Sequence, residues 1–123
     1  MKHSEGFLRL VDDAKSRIRE VSVTETQARL KQNSEAKLID VREDNEFEAA
    51  HAAGATHLGK GIIERDIETQ VPDKDAELIL YCGGGYRSAL VADVLQKMGY
   101  TNVWSMAGGW RAWTESGAEI ETP

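Results

Sequence analysis

Residues 77–99 contain an apolar segment, a glycine-rich loop and an amphipathic segment in direct succession, and this order limits the folds open to the chain. ELILY (77–81) has the continuous apolar composition of a strand that is buried on both faces. SALVADVLQKMG (88–99) carries apolar residues at helical spacing and ends in Gly99, a residue typical of helix C-caps. A doubly buried strand that leads into a helix is typical of a parallel sheet covered by helices.

The rest of the chain repeats this alternation of short strands and helices. Further strands are predicted at VSV (21–23), KLIDV (37–41), ATHL (55–58) and NVWSM (102–106), and further helices at 24–33, 45–51, 61–70 and 108–117. The absence of internal repeats and long linkers in the sequence indicates one domain. The sequence therefore predicts an α/β domain with a mostly parallel sheet and helices on both faces.

Two of these helices carry capping patterns at their predicted starts. Thr24 is predicted to be an N-cap, because Gln27 three residues later completes a T-x-x-Q capping box. Asp44 or Asn45 is predicted to cap the helix over 45–51, whose acidic first turn suits the positive end of a helix dipole.

The N-terminal segment, residues 1–20, is predicted to be an amphipathic helix over about 5–19 that precedes the domain at 21–123. Its apolar residues recur at helical spacing: Phe7, Leu8, Leu10, Val11, Ala14 and Ile18. This apolar face predicts docking, either onto the domain or onto a second copy in a homodimer. The sequence leaves both alternatives open, and it places His3 in the tail.

Charge and cysteine content exclude several classes of function. The net charge of -6 and the lack of a basic stripe argue against a nucleic-acid or anionic-membrane partner. No apolar run at the N-terminus is long enough for a signal peptide or a membrane span. The chain holds one cysteine, so it forms no internal disulfide. We therefore expect a protein of a reducing compartment, the cytoplasm.

The single cysteine, Cys82, follows the predicted strand at 77–81, and ligands of parallel α/β folds bind beyond this end of the strands. A cysteine attacks as its thiolate, so its surroundings must favour the anion. Gly83, Gly84 and Gly85 allow the positive φ angles with which backbone N–H groups turn inward around an anion.

The residues after the glycines favour the same anion. Arg87 brings a permanent positive charge, and a helix that starts near Ser88 points its positive end at the sulfur. The alternative is that Cys82 is a small buried hydrophobic residue beside an ordinary glycine turn. Three glycines followed by an arginine and a strong helix favour the functional interpretation.

Four segments together resemble the rhodanese family over nearly all of the chain from residue 21 onward. These segments are LIDVRE (38–43), EFEAAHAAGA (46–55), YCGGGYRSA (81–89) and MAGGWRAW (106–113). The resemblance implies a five-stranded, mostly parallel sheet flanked by helices. It implies a sulfurtransferase in which Cys82 takes a sulfane sulfur from a small anion such as thiosulfate. The resulting persulfide passes that sulfur to a thiol, cyanide or a protein acceptor.

The resemblance also implies roles for the loop. Its N–H groups hold the outer sulfur of the persulfide, Arg87 attracts the anionic donor, and Tyr86 shapes access to the sulfur. The substrate-binding residues are therefore predicted to be Gly83, Gly84, Gly85, Tyr86, Arg87 and Ser88. Arg65, in a segment near the active-site rim in this family, is predicted as a second anion-binding residue, against the alternative of a solvated helix face.

Loop length separates the members of this superfamily. The six residues from Cys82 to Arg87 suit a sulfur atom, whereas related phosphatases carry a loop one residue longer. Tyr81 stands where cysteine-dependent tyrosine phosphatases often carry a histidine. A phosphatase or arsenate reductase is thus the weaker alternative, and a sulfur-relay module loaded by a partner protein is another. Gly83 departs from the basic residue of many thiosulfate-using relatives, which weakens the case for thiosulfate specifically.

The remaining polar residues have structural interpretations. Asp40 and Arg42 are predicted to pair at the end of a strand, and His51 to be a packed residue at a helix end. For His57, on a predicted strand, an approach to the pocket is the alternative to a structural position. Because the histidines and Cys82 form no metal-ligand spacing, the sequence predicts no metal, and nothing in it calls for a cofactor. The tryptophans are predicted to fill the core, and Trp110 also to border the pocket.

Overall fold

The computed structural model describes residues 2–123 and contains a five-stranded sheet and a separate two-stranded one. The helices are α1 (Glu5–Lys15), α2 (Val23–Gln32), α3 (Asp44–Ala49), α4 (Ile63–Gln70), α5 (Tyr86–Lys97) and α6 (Gly109–Glu115). The strands are β1 (Glu20–Val21), β2 (Lys37–Asp40), β3 (His51–Ala52), β4 (Thr56–His57), β5 (Leu78–Tyr81), β6 (Val103–Met106) and β7 (Ile120–Glu121).

The five-stranded sheet has the order β1-β6-β5-β2-β4, and all of its pairs are parallel. The central strand β5 lies between β2 and β6, with Leu80 opposite Ile39 and Ser105. The predicted α/β class and five-stranded sheet are confirmed. Because parallel strands end at one edge, the loops after β2 and β5 meet there.

Side-chain alternation along β5 explains why both faces of the sheet need helices. Leu78 and Leu80 join one hydrophobic cluster, which includes residues of α4 and α5. Ile79 and Tyr81 join the second, which includes Trp113 of α6. Because successive side chains of a strand point to opposite faces, an all-apolar strand requires a core on each side.

The predicted cap of α2 is wrong. Ser22 is the N-cap: its hydroxyl accepts a hydrogen bond from the Glu25 N–H, and the Glu25 carboxylate accepts one from the Ser22 N–H. This S-x-x-E capping box begins the helix two residues before the predicted T-x-x-Q box of Thr24 and Gln27. A carboxylate at the third helical position also suits the positive helix end, which glutamine does not match.

The helix predicted over 45–51 starts earlier and ends earlier. Glu43, not Asp44 or Asn45, is its N-cap, and Glu46 accepts from the Glu43 N–H. The helix ends at Ala49 because the next residues pair with a distant segment. His51 and Ala52 of β3 lie antiparallel to β7, a ribbon that the sequence analysis did not predict.

The N-terminal helix packs onto the domain through α5. Val11 and Ala14 of α1 are buried, and the Arg17 guanidinium donates to the Asp93 carboxylate of α5 at 2.8 Å. The helix ends at Lys15, before the predicted position 19. Leu10 remains 61% exposed, so the docking of a second copy stays a prediction, as does the boundary at residue 20.

Every helix within residues 2–123 falls short of the length and apolar character that a membrane span demands. Across the same residues, no cluster of three or more His, Cys, Asp or Glu side chains is arranged to hold a metal ion.

Candidate active site

Cys82 lies at the carboxyl end of β5 and is buried, with a side chain 1% exposed. Two backbone amides point at its sulfur: the Gly85 N–H at 3.2 Å and the Ser88 N–H at 3.4 Å. The Ser88 amide belongs to the first turn of α5, whose positive end therefore faces the sulfur. Both amides thus present their N–H donors to the sulfur atom.

The three glycines of the loop have different functions in the backbone. Gly85 alone has a positive φ, of 96°, and it serves as the N-cap of α5. Gly83 and Gly84, which could also allow a positive φ, do not adopt one. At Gly83 a side chain would crowd the Arg87 guanidinium, because a Cβ would lie 3.1 Å from Nη2. The predicted helix start near Ser88 is also two residues late, since Gly85 caps the helix directly.

Beneath the sulfur lies a pair of buried serines. The Cys82 thiol donates to the Ser88 hydroxyl at 3.5 Å, and the Ser88 and Ser105 hydroxyls are 2.8 Å apart. Ser105 lies on β6 and was missed by the sequence analysis. Its one sequence signal is a hydroxyl within a buried strand, where a polar side chain requires a partner.

The first residues of α6 donate hydrogen bonds to carbonyl groups of the loop. The Trp110 N–H donates to the Cys82 carbonyl at 2.7 Å, and the Arg111 N–H donates to the Gly83 carbonyl at 3.1 Å. Gly109 has a φ of 50°, and a Cβ there would overlap the Cys82 carbonyl oxygen. The glycine pair in MAGGWRAW therefore lets α6 approach the loop closely enough to bind its carbonyls.

The guanidinium of Arg87 is paired with a carboxylate. It donates to Glu46 of α3, with Nη1 2.9 Å from Oε1 and Nη2 3.3 Å from Oε2. These hydrogen bonds lower the pKa of the Glu46 carboxyl below its ordinary value. Glu46 therefore neutralises part of the positive charge of Arg87, which leaves less of it for an incoming anion.

A cavity of about 780 Å³ opens above the loop. It is lined by His3, Phe7, Glu46, Cys82, Gly83, Gly84, Tyr86, Arg87, Gly108 and Arg111. Gly85 and Ser88 contact the sulfur from the protein side and are not among the lining residues. The structure thus brings Cys82 and the six predicted loop residues together in one place. The substrate-binding functions assigned to them stay predictions.

One side of the cavity comes from the N-terminal segment. The His3 ring lies edge-on to the Tyr86 ring, with centroids 4.7 Å apart, and the Phe7 ring is 6.3 Å from Tyr86. His3 lies in the N-terminal tail before α1, as predicted, and from there it lines the cavity. Five lining residues were not predicted from the sequence: His3, Phe7, Glu46, Gly108 and Arg111.

The structure does not bring Arg65 to this cavity. Its side chain on α4 is 74% exposed and pairs with Asp66, Nε to Oδ1 at 2.7 Å. His57 also lies elsewhere, with Nε2 2.9 Å from the Arg42 carbonyl oxygen. Trp110 is not among the lining residues either; the Arg42 guanidinium lies over its ring.

The predicted pairing of Asp40 and Arg42 is confirmed at the edge of the site. Arg42 and Asp40 form a buried ion pair with an Nη2–Oδ2 distance of 2.8 Å. Arg42 also donates to the Ala50 carbonyl at 2.7 Å, which ties the end of β2 to the end of α3. Burial raises the pKa of Tyr81, whose hydroxyl accepts from the Ala52 N–H at 3.0 Å.

The sequence matches the Rhodanese-like domain family over residues 22–116. The Haemophilus influenzae protein thiosulfate sulfurtransferase GlpE is 33% identical over 101 residues, which cover 81% of this chain and 93% of that protein. The Bacillus subtilis protein YqhL is 37% identical over 81 residues and covers 63% of this chain. This chain spans only 60% of that relative's length.

A solved structure from Rhodopseudomonas palustris has a TM-score of 0.83 and 29% identity, with 98% of each chain covered. That protein is described as one of unknown function and as a possible tyrosine phosphatase. Its coverage includes most of the N-terminal segment as well as the domain. With the family match spanning most of the sequence, the chain belongs to the Rhodanese-like domain family.

Proposed function

We propose that the protein is a sulfurtransferase that carries a sulfane sulfur on Cys82. One observation carries this proposal: the amides of Gly85 and Ser88 donate to the Cys82 sulfur at the open end of the central strand. Donors fixed in the fold lower the free energy of the thiolate that attacks and of the persulfide anion that follows.

The reaction is a double displacement with thiosulfate as the reference donor. The Cys82 thiolate attacks the outer sulfur of thiosulfate, the sulfur–sulfur bond of the donor breaks, and sulfite leaves with the bonding electron pair. Cys82 then holds a persulfide with one negative charge. A thiolate or cyanide attacks the outer sulfur, and the Cys82 thiolate leaves unchanged. No proton has to move in either step, so the site needs no dedicated acid or base.

The loop divides this work between two sides. Gly85 and Ser88 stabilise the inner sulfur, while Gly83 and Gly84 line the cavity into which the outer sulfur extends. In this proposal Arg87 attracts the donor anion, and its ion pair with Glu46 weakens that attraction. Thiosulfate as donor is supported by the name of the Haemophilus influenzae relative, thiosulfate sulfurtransferase. The single free cysteine suits the cytoplasm, where thiols stay reduced.

The experiment is a cyanide assay on the whole chain. Incubation with thiosulfate and then cyanide should produce thiocyanate, and Cys82→Ser should abolish it. If neither thiosulfate nor mercaptopyruvate supports turnover or leaves a sulfur on Cys82, the proposal fails. Sulfur loading from a protein persulfide alone would instead support the relay module.

A phosphatase is the second candidate, because the Rhodopseudomonas palustris structure is described as a possible one. Two contacts weigh against it. Arg87 is held by Glu46, and the residue six positions after Cys82 is Ser88, whose amide points at the sulfur. Hydrolysis of an aryl phosphate by the wild type but not by Cys82→Ser would favour this candidate over the sulfurtransferase.

A further inference from the structure

The cavity is much larger than the donor requires. Thiosulfate is one small tetrahedral anion, whereas about 780 Å³ is within the range of roughly 300–1,000 Å³ typical of pockets for drug-sized ligands. Cys82 and the loop glycines Gly83 and Gly84 form only part of its lining. The remainder is available to a molecule with an organic body.

The outer part of the cavity has an aromatic surface, formed by His3, Phe7 and Tyr86. These three rings pack against one another, with the His3 and Phe7 centroids 5.2 Å apart. The Lys15 ammonium lies 5.4 Å from the Tyr86 centroid and holds that ring from α1. Packed rings of this kind provide a preformed apolar surface for an organic group.

A second arginine, Arg111, also lines the cavity. Among the described residues, the guanidinium of Arg111 has no carboxylate within ion-pair distance, and its side chain is exposed. The other lining arginine, Arg87, is paired with Glu46. The position of Arg111 is fixed by its backbone N–H, which donates to the Gly83 carbonyl beside Cys82. Arg111 is therefore the lining guanidinium most available to a ligand carboxylate.

We propose that His3, Phe7, Tyr86 and Arg111, here called the outer wall, bind the sulfur acceptor, a low-molecular-weight thiol of peptide size that carries a carboxylate. Its organic body lies on the rings, and its carboxylate accepts hydrogen bonds from Arg111. This inference rests on the proposed sulfur transfer. In that step the acceptor thiolate forms a bond to the outer sulfur, the bond to Cys82 breaks, and a small-molecule persulfide leaves.

The experiment compares glutathione, the probe thiol, with cyanide at saturating thiosulfate. The readout is the ratio of kcat/KM for glutathione to kcat/KM for cyanide. A charge-assisted hydrogen bond of about 1.5 kcal/mol predicts that Arg111→Gln lowers this ratio roughly tenfold. Phe7→Ala should lower it about threefold to fivefold through lost apolar contact. Arg111→Lys keeps the positive charge, so its ratio should lie between those of Arg111→Gln and the wild type.

Two matched controls come from α1. Arg9→Gln removes an exposed arginine that does not line the cavity, and Leu10→Ala removes an exposed apolar side chain on the same helix. Both should keep the wild-type ratio. An unchanged ratio in Arg111→Gln overturns the inference. This includes the case in which kcat/KM falls equally for cyanide and glutathione.

A binding measurement separates this inference from the proposed function. Glutathione is titrated into Cys82→Ser, and NMR gives its Kd. Adding Arg111→Gln to the same protein should raise this Kd about tenfold. Saturable binding that Arg111→Gln weakens supports the outer wall even if wild-type protein produces no thiocyanate. Absence of saturable binding overturns the outer wall even if thiocyanate forms.

Discussion

The inner and outer parts of the site are built differently. The inner part consists of the loop amides of Gly85 and Ser88, the Ser105 hydroxyl and the close approach of Gly109, all buried and bonded within the domain. The outer wall consists of side chains from three separate segments around a cavity. We infer that the inner part determines what the sulfur can do, and the outer wall determines which molecule reaches it.

The largest expected effect concerns the buried ion pair of Arg42 and Asp40 at the edge of the site. Arg42→Leu leaves the Asp40 carboxylate buried without its partner, and breaking a buried ion pair costs about 3–5 kcal/mol. Chemical denaturation should show this loss of unfolding free energy. Arg65→Leu, which removes an exposed pair with Asp66, should cost at most about 1 kcal/mol. Equal losses would contradict the account.

Gly109→Ala should damage both stability and sulfur transfer. The left-handed backbone costs a residue with a Cβ about 1–2 kcal/mol, and the Cβ would also displace the Cys82 carbonyl. Gly117→Ala is the control, because Gly117 also has a positive φ but has open space around its Cβ position. The two variants should share the backbone cost, whereas thiocyanate formation should fall in Gly109→Ala only. A normal rate in Gly109→Ala would show that α6 does not position the loop.

Ser105→Ala tests the buried serine pair with a smaller change. The Ser88 hydroxyl loses its 2.8 Å partner, which is worth about 1 kcal/mol, or roughly a fivefold lower rate of transfer to cyanide. Ser16→Ala removes an exposed hydroxyl that bonds to the Asp13 carbonyl and does not line the cavity, so it should leave that rate unchanged. If Ser105→Ala transfers sulfur at the wild-type rate, the serine pair does not support the reaction.

The smallest expected effect is a pH dependence of the unfolding free energy that arises from the ion pair of Glu46 and Arg87. Hydrogen bonds from Arg87 lower the pKa of the folded-state Glu46 carboxyl below its ordinary 4.5. The stability that this ion pair contributes is therefore present above pH 4.5 and is lost as pH falls through the lowered pKa. Wild type should lose more unfolding free energy than Glu46→Gln between pH 7 and pH 3. If the unfolding free energy falls equally in the two proteins, the ion pair does not contribute this stability.

The loop of the inner part could be predicted from sequence because its determinants are local, whereas Ser105 comes from a distant strand and was not predicted. Cys82, the glycines and the helix that follows are consecutive, so strand, turn and helix rules apply directly to them. The same rules failed where two local patterns compete, as at the α2 cap, where Ser22 with Glu25 prevails over Thr24. They also failed at β3, because its pairing with β7 joins segments far apart in sequence.

The outer wall could not be predicted because it depends on how α1 docks. The periodicity of α1 predicted an apolar face, but only the burial of Val11 and Ala14 against the domain places His3 and Phe7 beside Tyr86. Nothing local distinguished Arg111 from an ordinary surface arginine. Its importance follows from the hydrogen bond between its amide and Gly83, which no spacing rule contains.

The most direct test of the central claim is the intact mass of the whole chain after treatment with thiosulfate. We expect that wild type gains the mass of one sulfur atom, that cyanide removes it, and that Cys82→Ser never acquires it. NMR should show the Gly85 and Ser88 amides shifting when the sulfur is loaded. A wild-type chain that gains no sulfur from thiosulfate, mercaptopyruvate or a protein persulfide would contradict the claim that Cys82 carries sulfur.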